Sequence, residues 1–302
     1  MIMRTATWAN IGNSVSSNTE MIGNIPAEMC FTVHKEPLFA INPTTDERTK
    51  INGFSTVIND STGVAYGPVS DKYTAVDNLE ALGAVQYIED FKALKWGESS
   101  RGMQYLIGSL PNVNILGDEF TPHLVFRNSF DGSSNIQMAI CPLRIVCQNQ
   151  ISWALKEANN SVNLRHTRNV GEKLAEAQRL ICSTDKYMRE LNKEAERYAN
   201  IKLSKNNIDK IISELFPIPK DASDIQKARA QAKIDQFKKA YKCSDNQNFK
   251  GTAWGLINAF SDFASHAEIV RKTETAEENR FMTVTFDPRL FVALTNLINV
   301  YS

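Results

Sequence analysis

The sequence predicts an α+β fold, with an antiparallel strand-rich N-terminal core and a mainly helical C-terminal half. Three observations carry this. Before residue 150, short apolar runs alternate with turn residues; after it, apolar residues recur every three or four positions. Asp131-Gly132 stands between two strand-like runs, 124–126 and 136–140, the composition of a β-hairpin turn. The chain has 302 residues, 42% of them hydrophobic and 23% charged, which suffices for one large domain or two smaller ones.

Residues 1–50 lack periodicity and are rich in Asn, Ser and Thr, so they are expected to form an irregular N-terminal arm. Within it, 10–24 reads either as a segment that docks on a partner or as disorder. Residues 54–60 and 64–70 read as strands around the turn Ser61-Thr62-Gly63, and Asp77 or Asn78 caps a helix expected to reach Phe91. Strands follow at 103–110 and 120–126, then the hairpin. In its second run Ile136, Met138 and Ile140 alternate with Gln137 and Ala139, so one face is buried. Pro142 cannot donate to a ladder and marks an edge, a bulge or a strand start.

Residues 143–147 resume as a short buried strand whose odd member is Arg144. Two readings stand for it. It pairs with a carboxylate such as Asp131 or points outward, or its planar guanidinium contacts phosphate against the sheet. Beyond the break at 148–150, Ile151, Ala154, Leu155, Ala158 and Val162 have helical spacing.

The rest reads as helix. Leu174, Ala177, Ile181, Thr184, Met188, Leu191, Ala195 and Tyr198 step by three and four, a heptad-like seam. Such a seam serves either a long helix packed on a neighbour or a contact between subunits. Ile208, Ile211, Ile212 and Leu215 mark a shorter helix stopped at Phe216-Pro217; a Lys- and Gln-rich helix opens at Asp221 or Ser223 and runs to Tyr241. Thr252 caps the next helix, with Leu256, Phe260, Phe263, Ala267 and Val270 on its apolar side. Residues 282–287 are strand-like and 290–301 form a closing apolar helix. The expected organisation is therefore an arm at 1–50, an α+β core at 51–168, a basic helical region at 169–250, and a helix-strand-helix unit at 251–302 that packs back on the core.

No stretch of eighteen apolar residues spans a membrane, and the first eight residues do not resemble a signal peptide. Five widely spaced cysteines without a CxxC pair fit reduced thiols in a cytoplasm. Phosphate-loop, dinucleotide, zinc-protease and nucleophile-elbow motifs do not occur. The four histidines are scattered; His266 shares a helix side with Asp262, as a hydrogen-bonded pair or an oriented imidazole. No cofactor or metal is expected from these patterns, although Asp118, Glu119 and Asp131 admit a magnesium-dependent nuclease or hydrolase reading.

A formal net charge of zero hides an uneven distribution. Residues 1–150 hold 10 Lys and Arg against 15 Asp and Glu; 151–250 hold 20 against 13, a net of +7; 251–302 hold 4 against 6. In the basic segment Arg165 and Arg168 flank His166 and Thr167. Lys186, Arg189, Lys193 and Arg197 make a helical row interrupted by Glu190, Glu194 and Glu196. Lys233 and Lys238 sit in a third group with Lys227, Arg229, Lys239 and Lys242. Each group is either a solvated helix face or a phosphate contact. Trp153, Tyr187, Tyr198, Phe237 and Tyr241 are the aromatics that either stack on bases or pack in the core.

Three stretches carry a family resemblance. Asn128-Ser129-Phe130-Asp131-Gly132-Ser133 is followed by Arg144-Ile145-Val146-Cys147-Gln148-Asn149. The second is Gly251-Thr252-Ala253-Trp254-Gly255 with Asn258, Ala259 and His266. The third is Tyr66-Gly67-Pro68-Val69-Ser70-Asp71-Lys72-Tyr73. Together they resemble the phage/plasmid-like protein family, a domain of unknown function, over residues 54–287. The resemblance implies an origin in a bacteriophage, plasmid or integrated element and carries no activity. A strand-rich core followed by basic helices is also similar in layout to single-strand annealing proteins, an analogy of fold alone. The expected function is single-stranded DNA binding in recombination or replication, with a homo-oligomer as one form. The alternative is a protein-binding module that inhibits or regulates a host defence factor, resting on the seam and the N-terminal arm.

Overall fold

A computed structural model of the chain describes residues 12–88, 90–99, 102–144, 149–150, 161–182, 184–266 and 289–302. In chain order it begins with β1 (Asn13–Ser14) and a small hairpin of β2 (Met21–Ile22) and β3 (Ile25–Pro26). β4 (Val33–Ile41), β5 (Arg48–Asn59) and β6 (Ala65–Ser70) then form a separate three-stranded antiparallel sheet. One turn of helix, α1 (Asn78–Ala81), and a 3-10 turn (Gly83–Tyr87) lead into the strands of the main sheet. These are β7 (Lys92–Glu98), β8 (Met103–Ser109), β9 (Val113–Ile115), β10 (Asp118–Ser129), β11 (Ile136–Arg144), β12 (Asn149–Gln150) and β13 (Ser161–Leu164). Their order is β1-β7-β8-β10-β11-β12, with β9 beside β10 and β13 beside β11.

Alternation sets the register of the central hairpin. Leu124 lies opposite Ile140 and Phe126 opposite Met138, so the apolar positions of β10 and β11 share one buried face with Leu106 of β8. The turn is built as its composition requires: Gly132 takes φ 72°, and Asp131 Oδ1 accepts hydrogen bonds from Ser129 Oγ at 2.7 Å and Ser133 N at 2.9 Å. Pro142 lies opposite Pro122. On its other flank it falls between the residues paired with β13 and those paired with β12, so no described strand needs its missing N–H.

Three local expectations change. Residues 33–50, assigned to the irregular arm, hold β4 and the start of β5. The helix expected from 77 to 91 shrinks to α1 and a 3-10 turn, because the Asp77 carboxylate accepts from Val33 N at 3.1 Å and makes no cap. Val162 is a strand residue opposite Met138, since the open flank of β11 captures it; the preceding helical positions, 151–158, lie outside the described residues.

The helices are α2 (Val170–Cys182), α3 (Thr184–Asn200), α4 (Lys205–Leu215), α5 (Asp224–Tyr241), α6 (Ala253–His266) and α7 (Arg289–Tyr301). The seam runs across two helices, and Leu174, Met188, Leu191, Ala195 and Tyr198 are buried in the chain's own core. That core joins both halves, from Leu106 and Phe126 of the sheet to Ile211, Trp254 and Leu294 of the helices. Ser223 caps α5 reciprocally with Gln226, and Thr252 Oγ1 accepts from Gly255 N at 3.1 Å to cap α6. The strand-like residues 282–287 and the apolar positions 267 and 270 lie outside the described residues.

α6 is the central helix, packed between α3 and α5 and touching α7. It comes so close to the preceding loop that a Cβ at Gly255 would stand 2.2 Å from the Phe249 carbonyl oxygen. Backbone cannot yield as a flexible side chain does, so overpacking of about 3 kcal/mol outweighs the roughly 1 kcal/mol gained by Ala in a helix. Gly255→Ala is expected to lose about 2 kcal/mol net, read as a lower urea midpoint at unchanged slope. A midpoint equal to or above that of the parent would show that the loop moves freely.

Candidate nucleic-acid interface

The first basic group sits on a loop with a buried anchor. His166 is buried while Arg165, Thr167 and Arg168 are exposed. The His166 carbonyl accepts from Thr74 N at 3.0 Å, its Nδ1 lies 3.0 Å from the Thr74 carbonyl, and its ring stacks on Tyr73 with centroids 4.4 Å apart. Burial holds the imidazole below its ordinary pKa, so it is neutral at pH 7 and Nδ1 donates to Thr74. The two arginines are thereby displayed on either side of a fixed residue, next to the three-stranded sheet that ends at Ser70. Neither has an ion-pair partner among the described residues.

α3 displays the second group. Lys186, Arg189 and Lys193 are exposed, and the row from 186 to 197 spans roughly 16 Å at 1.5 Å per residue. Two of its members are already compensated. Lys193 Nζ lies 3.0 Å from Glu190, and Arg197 Nη2 lies 2.7 Å from Glu194 and stacks over the Tyr198 ring at 4.1 Å. The Glu194 contact raises the Arg197 pKa. Lys186 and Arg189 make no such pair among the described residues.

α5 displays the third group across α6. Lys238 lies 3.5 Å from Asp209 and Lys227 3.7 Å from Asp224, whereas Lys233 is exposed without a described partner. Near the C-terminal end of α5, Lys238, Lys239 and Lys242 line an open cleft of about 510 Å³ with Asp235 and Cys243. Among the described residues the four carboxylates paired with these cations, Glu190, Glu194, Asp209 and Asp224, belong to the basic segment itself. Its net positive charge is therefore not cancelled by these pairs.

Arg144 stands apart from these groups. It ends β11 opposite Phe120 and Asn149, while Leu164, just before Arg165, lies opposite Ile136 at the other end of the strand. Eight residues of strand put roughly 25 Å between those ends. The Asp131 turn is also at the far end, so the Arg144 and Asp131 positions, one of the pairings considered for Arg144, are held apart by the hairpin; the Asp131 carboxylate serves its own turn. The same geometry corrects the magnesium reading. Asp118 and Glu119 begin β10 and Asp131 follows its far end, roughly 30 to 40 Å away along the strand. Among the described residues no three His, Cys, Asp or Glu side chains form a metal-binding group.

Three of the five aromatics expected to stack on bases are otherwise engaged. Tyr198 and Phe237 are buried, and the Tyr241 hydroxyl accepts from Gly251 N at 2.8 Å. Trp153 lies outside the described residues. The exposed aromatics among the described residues are Phe39 and Phe54, on β4 and β5. The run Asn42-Pro43-Thr44-Thr45-Asp46 between Pro37–Ile41 and Arg48–Ile58 was the turn signal that could have found those strands.

Two of the three signature stretches, 66–73 and 128–133, meet in a joint. Tyr66 stacks on Phe130 at 5.4 Å, and the Tyr73 hydroxyl donates to the Ser129 carbonyl. Asn128 Nδ2 donates to the Val76 carbonyl at 2.9 Å and to Asn78 Oδ1 at 3.0 Å, fastening α1 to the main sheet. A family model described as Domain of unknown function (DUF932) matches residues 65–284 of the chain. No curated protein and no solved structure matches it.

Proposed function

The chain belongs to the DUF932 family, a domain of unknown function, and from that premise we propose that it is a phage- or plasmid-encoded protein that binds single-stranded nucleic acid in recombination or replication. The observation that carries this is that Arg165, Arg168, Lys186, Arg189 and Lys233, among the exposed cations of the basic segment, have no ion-pair partner among the described residues. Long cationic side chains on two helices and an anchored loop suit a flexible phosphate backbone, whose condensed counterions they release. Contacts to phosphate and sugar fix position on a strand and carry no sequence information themselves.

The rival reading, a protein-binding module, rested partly on the heptad-like seam. Five of the eight seam residues, Leu174, Met188, Leu191, Ala195 and Tyr198, pack inside this chain, so those positions are not open to a partner. No helix among the described residues is long and apolar enough to cross a membrane.

The test is a titration of a fluorescein-labelled oligothymidylate at 50 and 200 mM salt. Binding at low salt that weakens steeply at high salt is the expected result. No binding at 50 mM, or an affinity that ignores salt, overturns the reading.

A further inference from the structure

Past residue 38 the three-stranded sheet thins to a two-stranded ribbon. β6 pairs with β5 only from Phe54 to Ile58, while Phe39, Ala40 and Ile41 pair with Lys50, Thr49 and Arg48 beyond that limit. Every residue from 39 to 50 is exposed. A register break separates the ribbon from the sheet, between the Pro37–Ser55 and Phe39–Lys50 pairs, with Gly53 in the bulge at φ 83°.

The ribbon is nonetheless well formed. Asn42 N donates to the Glu47 carbonyl at 3.0 Å, Asp46 N donates to the Asn42 carbonyl at 2.9 Å, and Asn42 Oδ1 accepts from Thr44 N at 2.9 Å. Its tip is closed by its own hydrogen bonds, and the side chains of the stem are displayed on a fixed frame.

What it displays is chemically specific. Residues directly opposite one another share a face, so Phe39 meets Lys50 and Ile41 meets Arg48 on one side, with Ala40 and Thr49 on the other. Phe39 is 50% exposed and Ile41 56%. The carboxylates of this stretch, Asp46 and Glu47, are confined to the turn end, outside the Phe39–Lys50 pairs. A two-stranded ribbon is marginal in water alone, and this one sets an aromatic ring beside two cations without an ion pair among the described residues. That is the combination single strands use: a ring for a base, charges for adjacent phosphates. Among the side chains described on the basic helices and the Arg165–Arg168 loop no aromatic ring is exposed, and the ribbon supplies a stacking group.

We propose that the β4–β5 ribbon is a second contact for single-stranded nucleic acid, with Phe39 stacking on a base and Arg48 and Lys50 holding neighbouring phosphates. The proposal rests on the nucleic-acid reading above and extends it to a segment outside the basic third of the chain.

The experiment compares the parent chain with two ribbon variants and one loop-and-helix variant, in which Arg165, Arg168, Lys186 and Arg189 are all replaced by Gln, on the same labelled oligothymidylate. Phe39→Ala is expected to weaken binding about five- to a hundredfold with an unchanged salt slope, since stacking releases no counterions. Arg48→Gln with Lys50→Gln is expected to lower the slope of log affinity against log salt by about 1.4, at roughly 0.7 per phosphate. These side chains are exposed, so melting temperatures serve as the control for folding.

If the parent binds and the loop-and-helix variant weakens while both ribbon variants match the parent, the ribbon proposal is overturned and the broader reading stands. If the parent does not bind, both fall. If the ribbon variants alter the particle mass by light scattering and leave oligonucleotide affinity intact, the ribbon is a protein contact and the proposal is overturned.

Discussion

Replacing Arg165, Arg168, Lys186 and Arg189 together by Gln is expected to weaken single-strand binding about a hundredfold at 0.1 M salt. Each phosphate contact contributes about 0.7 to the salt slope for a single strand, so losing four lowers it by roughly 3. Full engagement of all four would cost several hundredfold at that salt, and contacts shared between neighbouring phosphates reduce the effect. The informative comparison is with Lys193→Gln and Arg197→Gln on the same helix. Those cations lie 3.0 and 2.7 Å from Glu190 and Glu194, so binding a phosphate requires breaking an existing pair. Their removal is expected to lower affinity no more than threefold, although it also frees two carboxylates. All four residues of the larger variant are exposed, and its unfolding midpoint should match that of the parent within about 0.5 kcal/mol. Equal losses from the paired and unpaired sets would mean that the ion pairs do not decide which cations bind.

Lowering the pH from 7 to 5 is expected to cost about 2 kcal/mol of stability, mostly through His123. This residue is buried in β10, its Nδ1 lies 2.8 Å from the Thr121 carbonyl, and burial pushes its pKa down to about 4. Neutral imidazole suits that position because Nδ1–H donates to the carbonyl, whereas a second proton puts a charge in a fully buried site and costs desolvation. The sign follows from proton binding. The unfolded chain takes up this proton near pH 6.5 and the folded chain only near pH 4, so stability is full above 6.5 and falls as the pH drops between them. The shift amounts to on the order of 3 kcal/mol once both values are passed.

His166 acts in the same direction, because burial also lowers its pKa. The other shifted groups work elsewhere or oppositely. His34 is raised by its hydrogen bond to Asp60 in full solvent, and burial raises Asp77, so both favour the folded chain as acid is added. Asp131, held low by its turn hydrogen bonds, withdraws its support only below the ordinary carboxylate range. Urea midpoints at pH 7 and 5 measure the net effect, and His123→Gln should flatten most of the difference. A parent that is equally stable at both values, or a variant that keeps the full dependence, would show that His123 is protonated in the folded state.

Much of the candidate interface could be read from the chain because surface helices advertise their faces. Lys186, Arg189 and Lys193 fall on the exposed side of α3 for the same reason that Met188, Leu191 and Ala195 fall on the buried one: a period of 3.6 residues. Pairing was less legible. Glu190 and Glu194 were visible as interruptions of the row, yet the spacing did not say that they take Lys193 and Arg197 and leave Arg189 alone. The ribbon escaped because Lys35 to Lys50 alternates weakly and carries exposed residues on both faces, so the period of two that reveals a half-buried strand is missing.

By itself the sequence determined the change from strands to helices, the Asp131-Gly132 turn, the cap at Thr252 and the basic character of residues 151–250, because each is written in neighbours a few positions apart. Only the tertiary structure decided that Val162 becomes a strand, that Ser223 rather than Asp221 caps α5, that Leu174, Met188, Leu191, Ala195 and Tyr198 of the seam are buried inside the chain, and that Arg144 and Asp131 stand at opposite ends of a hairpin. Those outcomes depend on which distant segment arrives at an open strand flank or an apolar face. Local periodicity shows that such a face must be covered and does not name what covers it.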